Sequence, residues 1–596
     1  MNNTTLKAPA CLFDKVKAHL EIIYPGLDAD TLARKAITVF EPIHDSLYDS
    51  SCVSAISLWS EKDIALITYG NSLVEEENRP LRTLDRFLKE FTHDRFSIVH
   101  ILPFFPYSSD DGFAVMDYYT VNPSLGDWAD IRKIAGHCRL MADLVVNHTS
   151  SRTRWFENFK KGRHPGKDYY VTVEPECDLS QVIRPRTTPL LREVATPDGP
   201  RYVWCTFSHD QVDLDFKNPE VLMEFLSIIR HYLDNGVQVF RLDAVAFLWK
   251  EACTTCLHLG QTHKIIKLMR TLIQAHDPRA IIITETNVPA RENLSYFGIG
   301  DEAQMIYNFP LPPFLLNTMV TGNSKGITDW LKTMPDTMES TTYLNFIASH
   351  DGIGLRPVED YFSRQEMTQL IDLMKAFGGR ISTRALNNYK DNPYEINISL
   401  WDAMKGTIHC REDNFQIERF ICAHTIMLGL KGIPAIYIHS LLGTKNDYDR
   451  RENLQSNRAV NRHIWNYPDL CKKLTNPDDH HHQVFFALCS LMDKRKQQPA
   501  FHPDAGQITF NINRKIVAFQ RRPNKKSNAP VLLCIHNITD QAVTIPQKDL
   551  PEQWQRAGVD LILEKTVTLD TGLNLAPYQS MWLTRTKNQN VDRIIE

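Results

Sequence analysis

Eight short apolar runs, each ending in polar or small residues and most followed by a helix-like stretch, constrain this chain more than any other feature. The first four are Asp63–Gly70 (DIALITYG), Ser97–Phe104 (SIVHILPF), Arg139–Asn147 (RLMADLVVN) and Val237–Val245 (VQVFRLDAV). Ala280–Asn287 (AIIITETN), Ala303–Phe309 (AQMIYNF), Thr341–Asp351 (TTYLNFIASHD) and Gly432–Ser440 (GIPAIYIHS) complete the set. Near-continuous apolar strands alternating with helices are buried parallel strands covered on both faces. Eight of them over about 380 residues predict an α/β chain folded as a (β/α)8 TIM barrel carrying insertions. A doubly wound open sheet is the alternative, but no GxGxxG turn follows the first run.

Two intervals between runs are too long for simple loops. Residues 149–206, rich in Arg and Pro (SQVIRPRTTPLLREV), predict a small irregular domain inserted after the third strand. Residues 352–397, with turn clusters, predict a lid inserted after the seventh. The barrel then comprises 61–148 and 207–504. Beyond residue 505 the pattern becomes short alternating strands (QITFNINRKIVAFQRR, APVLLCIHNI, YQSMWLTRT), which predicts an antiparallel β-sandwich over 505–596. Residues 1–60 read as an amphipathic helical extension.

Composition removes several function classes. A formal net charge of -4 without long single-sign blocks argues against nucleic-acid binding. No run of about 18 apolar residues predicts a membrane span, and MNNTTLKAPACLFDKVKAHL lacks the pattern of a signal peptide. The 12 cysteines are scattered, which predicts reduced thiols in a cytoplasmic protein. Cys253 and Cys256 form a CTTC pair with no second pair at zinc spacing, so no metal site is expected. His480, His481 and His482 read as a polar loop.

The reactive groups of such a barrel come from the C-terminal ends of its strands, where the loops converge. The fourth run ends in Arg241-Leu242-Asp243, the fifth in Thr284-Glu285-Thr286, and the seventh in Ser349-His350-Asp351. Acids at the ends of buried apolar strands are costly unless paired or used. Three at separate strand ends predict a catalytic set, Asp243, Glu285 and Asp351. Retaining glycoside chemistry needs two carboxyl groups about 5–5.5 Å apart, one nucleophile and one acid/base.

Gly236–Val245, Ile283–Asn287, Ile347–Gly354 and Asp143–His148 (DLVVNH) together resemble, in order, four signatures of the α-amylase clan of glycoside hydrolases. The resemblance implies a nucleophile at Asp243, a general acid/base at Glu285 and a transition-state stabiliser at Asp351. It implies that Arg241, His148 and His350 contact the glucosyl unit or the carboxylates. Clan members often bind calcium beside the domain inserted after strand three, but the subgroup resembled here requires none, so no cofactor is expected.

LITYG, HILPFFPYSSDDGF, RLDAVAFLWKEACTTCLHLGQTH and NRAVNRH narrow the likeness to the sucrose phosphorylase-like subgroup, in particular to the glucosylglycerate phosphorylases. By that resemblance Asp110 and Arg462 clamp the far hydroxyls of glucose, Phe113 and Phe207 wall the pocket, and Gln211 lines it. Arg184-Pro185-Arg186 is a rigid guanidinium pair suited to phosphate or carboxylate, and the subgroup uses this segment in its acceptor loop. Tyr394 and Glu395 stand where subgroup members place acceptor-side residues; sucrose phosphorylases carry Tyr-Gln there.

The implied activity is reversible phosphorolysis of 2-O-α-glucosylglycerate to α-glucose 1-phosphate and glycerate, with the sugar and inorganic phosphate as small-molecule partners and neither nucleic acid nor membrane expected. An anionic acceptor suits Arg184 and Arg186, with Arg380 or Arg384 as further candidates. The alternatives are the same mechanism on sucrose, sucrose 6-phosphate or glucosylglycerol, an α-glucoside hydrolase, and a catalytically silent amylase-like binding protein.

Overall fold

The computed structural model describes residues 11–42, 57–186, 188–386, 389–524 and 527–585. Eight parallel strands close into a barrel in which each pairs with its neighbours in sequence and the last returns to the first. They are β1 (Ala65–Thr68), β2 (Ile98–Ile101), β3 (Arg139–Val145), β4 (Val237–Asp243), β5 (Ile281–Thr284), β6 (Met305–Tyr307), β7 (Thr342–Asn345) and β8 (Ile433–Tyr437). Every residue of β1, β2, β5, β7 and β8 is buried. Helices cover the outside of the barrel and packed side chains fill it, so these strands have no polar face and read as unbroken apolar runs.

The seventh run is longer than its strand. Asn345 ends the ladder, its amide nitrogen donating to Lys431 O at 2.8 Å and its oxygen accepting from Asn308 at 2.9 Å. Phe346 and Ile347 stay buried after leaving the sheet, which is why the apolar pattern continues past Asn345. Ser349-His350-Asp351 therefore lies on a loop beyond β7 rather than on the strand.

Helix α1 (Leu12–Ile23) and helix α2 (Ala29–Val39) precede the barrel. Each buries small and aliphatic residues at helical spacing, and Asp28 caps α2 by accepting from Thr31 N. They pack on two barrel helices, α3 (Pro219–Asp234) and α4 (Gly260–His276): α1 lies on α4 and α2 on α3. Tyr24 Oη donates to Phe216 O at 2.9 Å, fastening the extension to the segment before α3. Residues 1–10 and 43–56 of that predicted region lie outside the described residues.

The segment between β3 and β4 is more regular than its composition suggests. It holds a helix, Arg154–Lys160, and an antiparallel sheet in which Gly199–Trp204 pairs with both Thr172–Val173 and Leu191–Thr196. After β7, Arg380–Leu386 and Tyr389–Asn397 form an antiparallel hairpin, and its second strand pairs with Ile353–Gly354. The C-terminal region builds a six-stranded sheet and a two-stranded sheet. Ile516, Leu533, Ile545, Trp554 and Leu573 are buried in one cluster between them. On the barrel side, Arg521 donates to Gly429 O at 2.9 Å.

One expectation is corrected. His480, His481 and His482 open a helix, His480–Lys496, capped by Asp479, whose carboxylate accepts from His481 N. Their side chains bond the carbonyls of Gly443, Leu442 and Leu474, so the polar run is spent on packing this helix rather than on a loop. Cys253 and Cys256 are free thiols. No helix among the described residues is long and apolar enough to cross a membrane.

Candidate active site

The register of the barrel assembles the charged centre. Arg241 of β4 lies opposite Asp143 of β3, and its guanidinium bonds Asp143 and, at 2.6 Å, Asp243 Oδ1. His100 Nε2 lies 2.8 Å from the other Asp143 oxygen. Glu285 follows β5 directly. Its backbone N–H donates to Leu242 O at 3.0 Å and its Oε2 accepts from Ala244 N at 3.2 Å, which brings the carboxyl beside the residue after Asp243. Asp351 enters from the loop after β7 and meets Arg458 Nη1 at 2.6 Å, with His350 Nε2 at 3.6 Å and Arg462 Nη2 at 3.9 Å.

These environments push the three acids apart. Burial raises Asp243 to about 8, against Arg241, with Glu285 and Asp143 adding to the rise. Burial also raises Glu285, with Asp351 adding and Arg241 opposing. For Asp351 burial is outweighed by Arg458, His350, Arg462 and Arg241, which hold it well below the usual carboxylate range. Burial lowers His350 to about 3 and also lowers His148, so both are neutral imidazoles near neutral pH.

The three acids line one open cleft. Of the residues singled out in the sequence, Asp110, Phe113, His148, Phe207, Gln211, Arg241 and His350 also line it. Phe113 stacks on His350, with ring centroids 5.2 Å apart and planes within 8°. His148 Nε2 lies 3.0 Å from Phe113 O. Arg186 and Tyr394 line the same cleft, with the Arg186 guanidinium 5.7 Å from the Phe207 ring centroid.

Four of the residues expected at the site lie off the cleft lining. Arg184 does not line the cleft: its guanidinium donates to Thr206 O at 3.2 Å and to Thr188, closing the loop on itself. Arg462 lines a neighbouring cavity, where its Nη1 is 2.7 Å from Asp111 Oδ2, while its Nη2 stays 3.9 Å from Asp351. Glu395 is 2% exposed and is held by Arg458 at 3.0 and 2.7 Å, so it forms the wall behind the cleft. Arg380 faces a groove with Ile371 and Lys375, away from the acids, and the side chain of Arg384 lies outside the described residues.

Two arginines of the cleft, Arg356 and Arg458, were not anticipated. Arg458 lies within NRAVNRH, where only Arg462 stood out. Gly352 lets the hairpin approach: a Cβ there would meet Glu395 Cγ at 2.5 Å and Ile396 O at 2.6 Å. Lys250 was also missed. Its ammonium sits 2.6 Å from Asn147 Oδ1 and 2.8 Å from Asp213 Oδ2, a buried pair that pins the 206–213 loop to the end of β3.

Among the described residues one group has metal-ligand spacing, Asp479, His480 and His481, with donor atoms within 4.8 Å of one another. Lys473 Nζ stands 3.4 Å from Asp479 Oδ2 and opposes a cation there.

Residues 87–374 match the model of the α-amylase catalytic domain. The chain is 42% identical to the glucosylglycerate phosphorylase of Allomeiothermus silvanus, over 88% of this chain and 91% of that one. It is 37% identical to the glucosylglycerate phosphorylase of Escherichia coli K12, over 96% and 99%. The crystal structure of sucrose 6F-phosphate phosphorylase from Thermoanaerobacter thermosaccharolyticum superposes with a TM-score of 0.70 at 23% identity, over 82% of this chain and 95% of that one, a likeness of fold. The chain thus belongs to the sucrose phosphorylase-like enzymes of the α-amylase clan, in one family with the glucosylglycerate phosphorylases.

Proposed function

We propose that this enzyme is a retaining glycoside phosphorylase. It interconverts 2-O-α-D-glucosylglycerate plus phosphate with α-D-glucose 1-phosphate plus D-glycerate through a covalent β-glucosyl-enzyme. The observation that carries the reading is the presence of Asp243, Glu285, Arg186 and Tyr394 in one cleft. A cation and a phenol on the acceptor side suit an anion that arrives as phosphate and leaves as glycerate. Identity of 42% to a glucosylglycerate phosphorylase supports the choice of acceptor.

The chemistry follows from the charges. A carboxylate oxygen of Asp243 attacks the anomeric carbon while the bond from that carbon to the glycerate oxygen breaks, and Glu285 gives its proton to the departing oxygen. The two acids titrate as a pair, and the reactive form is the one in which Arg241, 2.6 Å from Asp243, holds that carboxylate ionised while the proton sits on Glu285. Asp351 stays charged because Arg458 holds it, and it offers negative charge to the oxocarbenium-like transition state. Phosphate then takes the acceptor side beside Arg186. Glu285, now a carboxylate, accepts the phosphate proton as the phosphate oxygen attacks the anomeric carbon and Asp243 leaves. Two inversions give net retention.

The test is turnover of 2-O-α-glucosylglycerate with and without phosphate, reading α-glucose 1-phosphate, glycerate and free glucose. Phosphate-dependent α-glucose 1-phosphate is expected. Free glucose formed at the same rate without phosphate would defeat the reading.

A further inference from the structure

One nitrogen of Arg241 serves two acids. Its Nη1 bonds Asp143 Oδ1 and stands 2.6 Å from Asp243 Oδ1, so a carboxylate behind the guanidinium and the carboxylate of the cleft draw on the same donor. The buried Nε of Arg241 has no hydrogen-bond partner among the described residues, so nothing at that atom fixes which acid the guanidinium favours. The rings of Phe113 and Tyr307 flank it, with centroids 5.7 and 5.6 Å from its carbon.

The second oxygen of Asp143 is where that competition is set. His100 Nε2 lies 2.8 Å from Asp143 Oδ2, and since a carboxylate only accepts, the imidazole donates through Nε2. The register places it there. His100 of β2 pairs with Ile67 of β1 and with Met141 of β3, two residues before Asp143 on the same face. The His100 and Asp143 side chains are 1% and 0% exposed, so the bond is shielded from solvent. His100 Nδ1 is buried with no hydrogen-bond partner among the described residues, and His100 does not line the cleft. Of the strands beside β2, β1 brings no titratable side chain. Strand β3 brings Asp143 and, at its far end, Arg139, which is bonded to Asp63. Burial would raise the Asp143 carboxyl, but Arg241, His100 and His350 outweigh it and hold it below the usual carboxylate range.

Resting on the glucosyl-transfer reading above, we infer that His100 is a positioning residue: through Asp143 it keeps the shared Arg241 nitrogen available to Asp243, and so keeps the nucleophile charged. Its bond draws the negative charge of Asp143 toward Oδ2 and fixes the plane of the carboxylate, which leaves Oδ1 a weaker competitor for Arg241. Without that donor, Asp143 turns its full charge on Arg241 and the guanidinium follows. Asp243 then loses part of the interaction that favours its ionised form. The charged and titratable groups facing Asp243 are Arg241, Glu285 and Asp143, so the change reaches the pair of acids on which the reaction depends. His100 itself touches neither the substrate nor the reacting atoms.

The test is the pH dependence of kcat/KM for α-glucosyl fluoride. Its leaving group needs no proton from Glu285, so the acid limb reports the ionisation of Asp243. His100→Gln places an amide nitrogen where Nε2 stands and keeps the donor to Asp143. His100→Asn carries the same amide one bond shorter and withdraws it. In His100→Asn the acid limb should move up by about one pH unit, roughly a tenfold loss of kcat/KM below the limb, with less than about threefold lost on the plateau. His100→Gln should restore the wild-type limb. A purely structural role would lower the plateau in both variants and leave the limb where it was. A limb that stays in place or moves down in folded His100→Asn overturns the inference. A second measurement does not depend on that variant folding. In enzyme carrying isotope-labelled histidine, the low-field Nε2–H signal of His100 is assigned by its loss in His100→Gln. It should move upfield when 5-fluoro-α-glucosyl fluoride converts Asp243 to its glucosyl ester with loss of fluoride, because Arg241 then turns to Asp143. A signal that does not move on full esterification overturns the inference as well. A wild-type enzyme inert toward glucosyl fluoride overturns the glucosyl-transfer reading and the inference with it.

Discussion

Arg458 ties Asp351 to Glu395: its Nη1 is 2.6 Å from Asp351 Oδ1, and its Nε and Nη2 are 3.0 and 2.7 Å from the two oxygens of Glu395. One guanidinium therefore couples the hairpin after β7 to an acid at the barrel mouth. Arg458 and Asp351 are each about a quarter exposed, so stranding two carboxylates in Arg458→Met should cost about 1.5–3 kcal/mol rather than as much as a broken fully buried pair. Denaturant unfolding at neutral pH should show a loss of that size, with a smaller loss in Glu395→Gln, which leaves the bond to Asp351 in place. The sign with pH is fixed by Asp351, whose folded value is depressed despite burial because Arg458 and its neighbours outweigh it. Its stabilising contribution is present above the ordinary carboxylate range near about 4 and is lost as pH falls through the lower folded value. In Arg458→Met the acid-side loss of stability should begin at higher pH than in the wild type.

Asp243 has the opposite sign. Burial raises it to about 8, so its charged form is a net cost to the fold that Arg241 only partly offsets. A raised carboxyl favours folding most below the unfolded value, about 4, and that contribution is lost as pH rises through about 8. Asp243→Asn, which cannot ionise, should melt higher than the wild type above pH 8 and converge with it below about pH 4. Its turnover should fall on the order of 10⁴-fold or more, the scale on which removal of a covalent nucleophile acts. Melting curves across pH and mass spectrometry for the glucosyl-enzyme check the two halves. A variant no more stable than wild type at pH 9 would contradict the first.

The barrel and two of its acids were legible because both leave local signals. Buried parallel strands have no polar face, and Asp243 and Glu285 interrupt that pattern where β4 and β5 end. Asp351 was legible as a motif, although it sits on a loop that an apolar run disguised as strand. The partners of these acids were not legible. Arg458 and Glu395 are 63 residues apart, and ion pairs across such separations impose no periodicity on either segment. Likewise nothing in Arg184-Pro185-Arg186 says which guanidinium turns to the cleft; the carbonyl of Thr206, brought close only in the fold, captures Arg184.

Glu285 should matter in proportion to how much help the leaving group needs. Glu285→Gln removes the proton but keeps the amide within reach of Ala244 N. Its kcat/KM toward glucosylglycerate should fall about 10²–10⁴-fold, the range for a positioned acid. Formation of the glucosyl-enzyme from α-glucosyl fluoride should fall far less, since fluoride departs without protonation. Equal losses on both donors in stopped-flow or fluoride-release measurements would remove Glu285 from the acid role.

Arg184 and Arg186 should separate cleanly, because one guanidinium is spent on the loop and the other faces the cleft. A charge-assisted hydrogen bond contributes roughly 1.5–3 kcal/mol, so Arg186→Ala should raise KM for phosphate or glycerate by about 10- to 150-fold. Donor-side behaviour, read with α-glucosyl fluoride, should change little. Arg184→Ala removes donors to Thr206 and Thr188 and should act on the 183–190 loop first, through a lower melting temperature and faster proteolysis there. Its KM for phosphate should rise less than that of Arg186→Ala at a temperature where both are folded. The reverse order of the two KM values would mean that the loop turns over on binding its anion and that Arg184 takes the acceptor side.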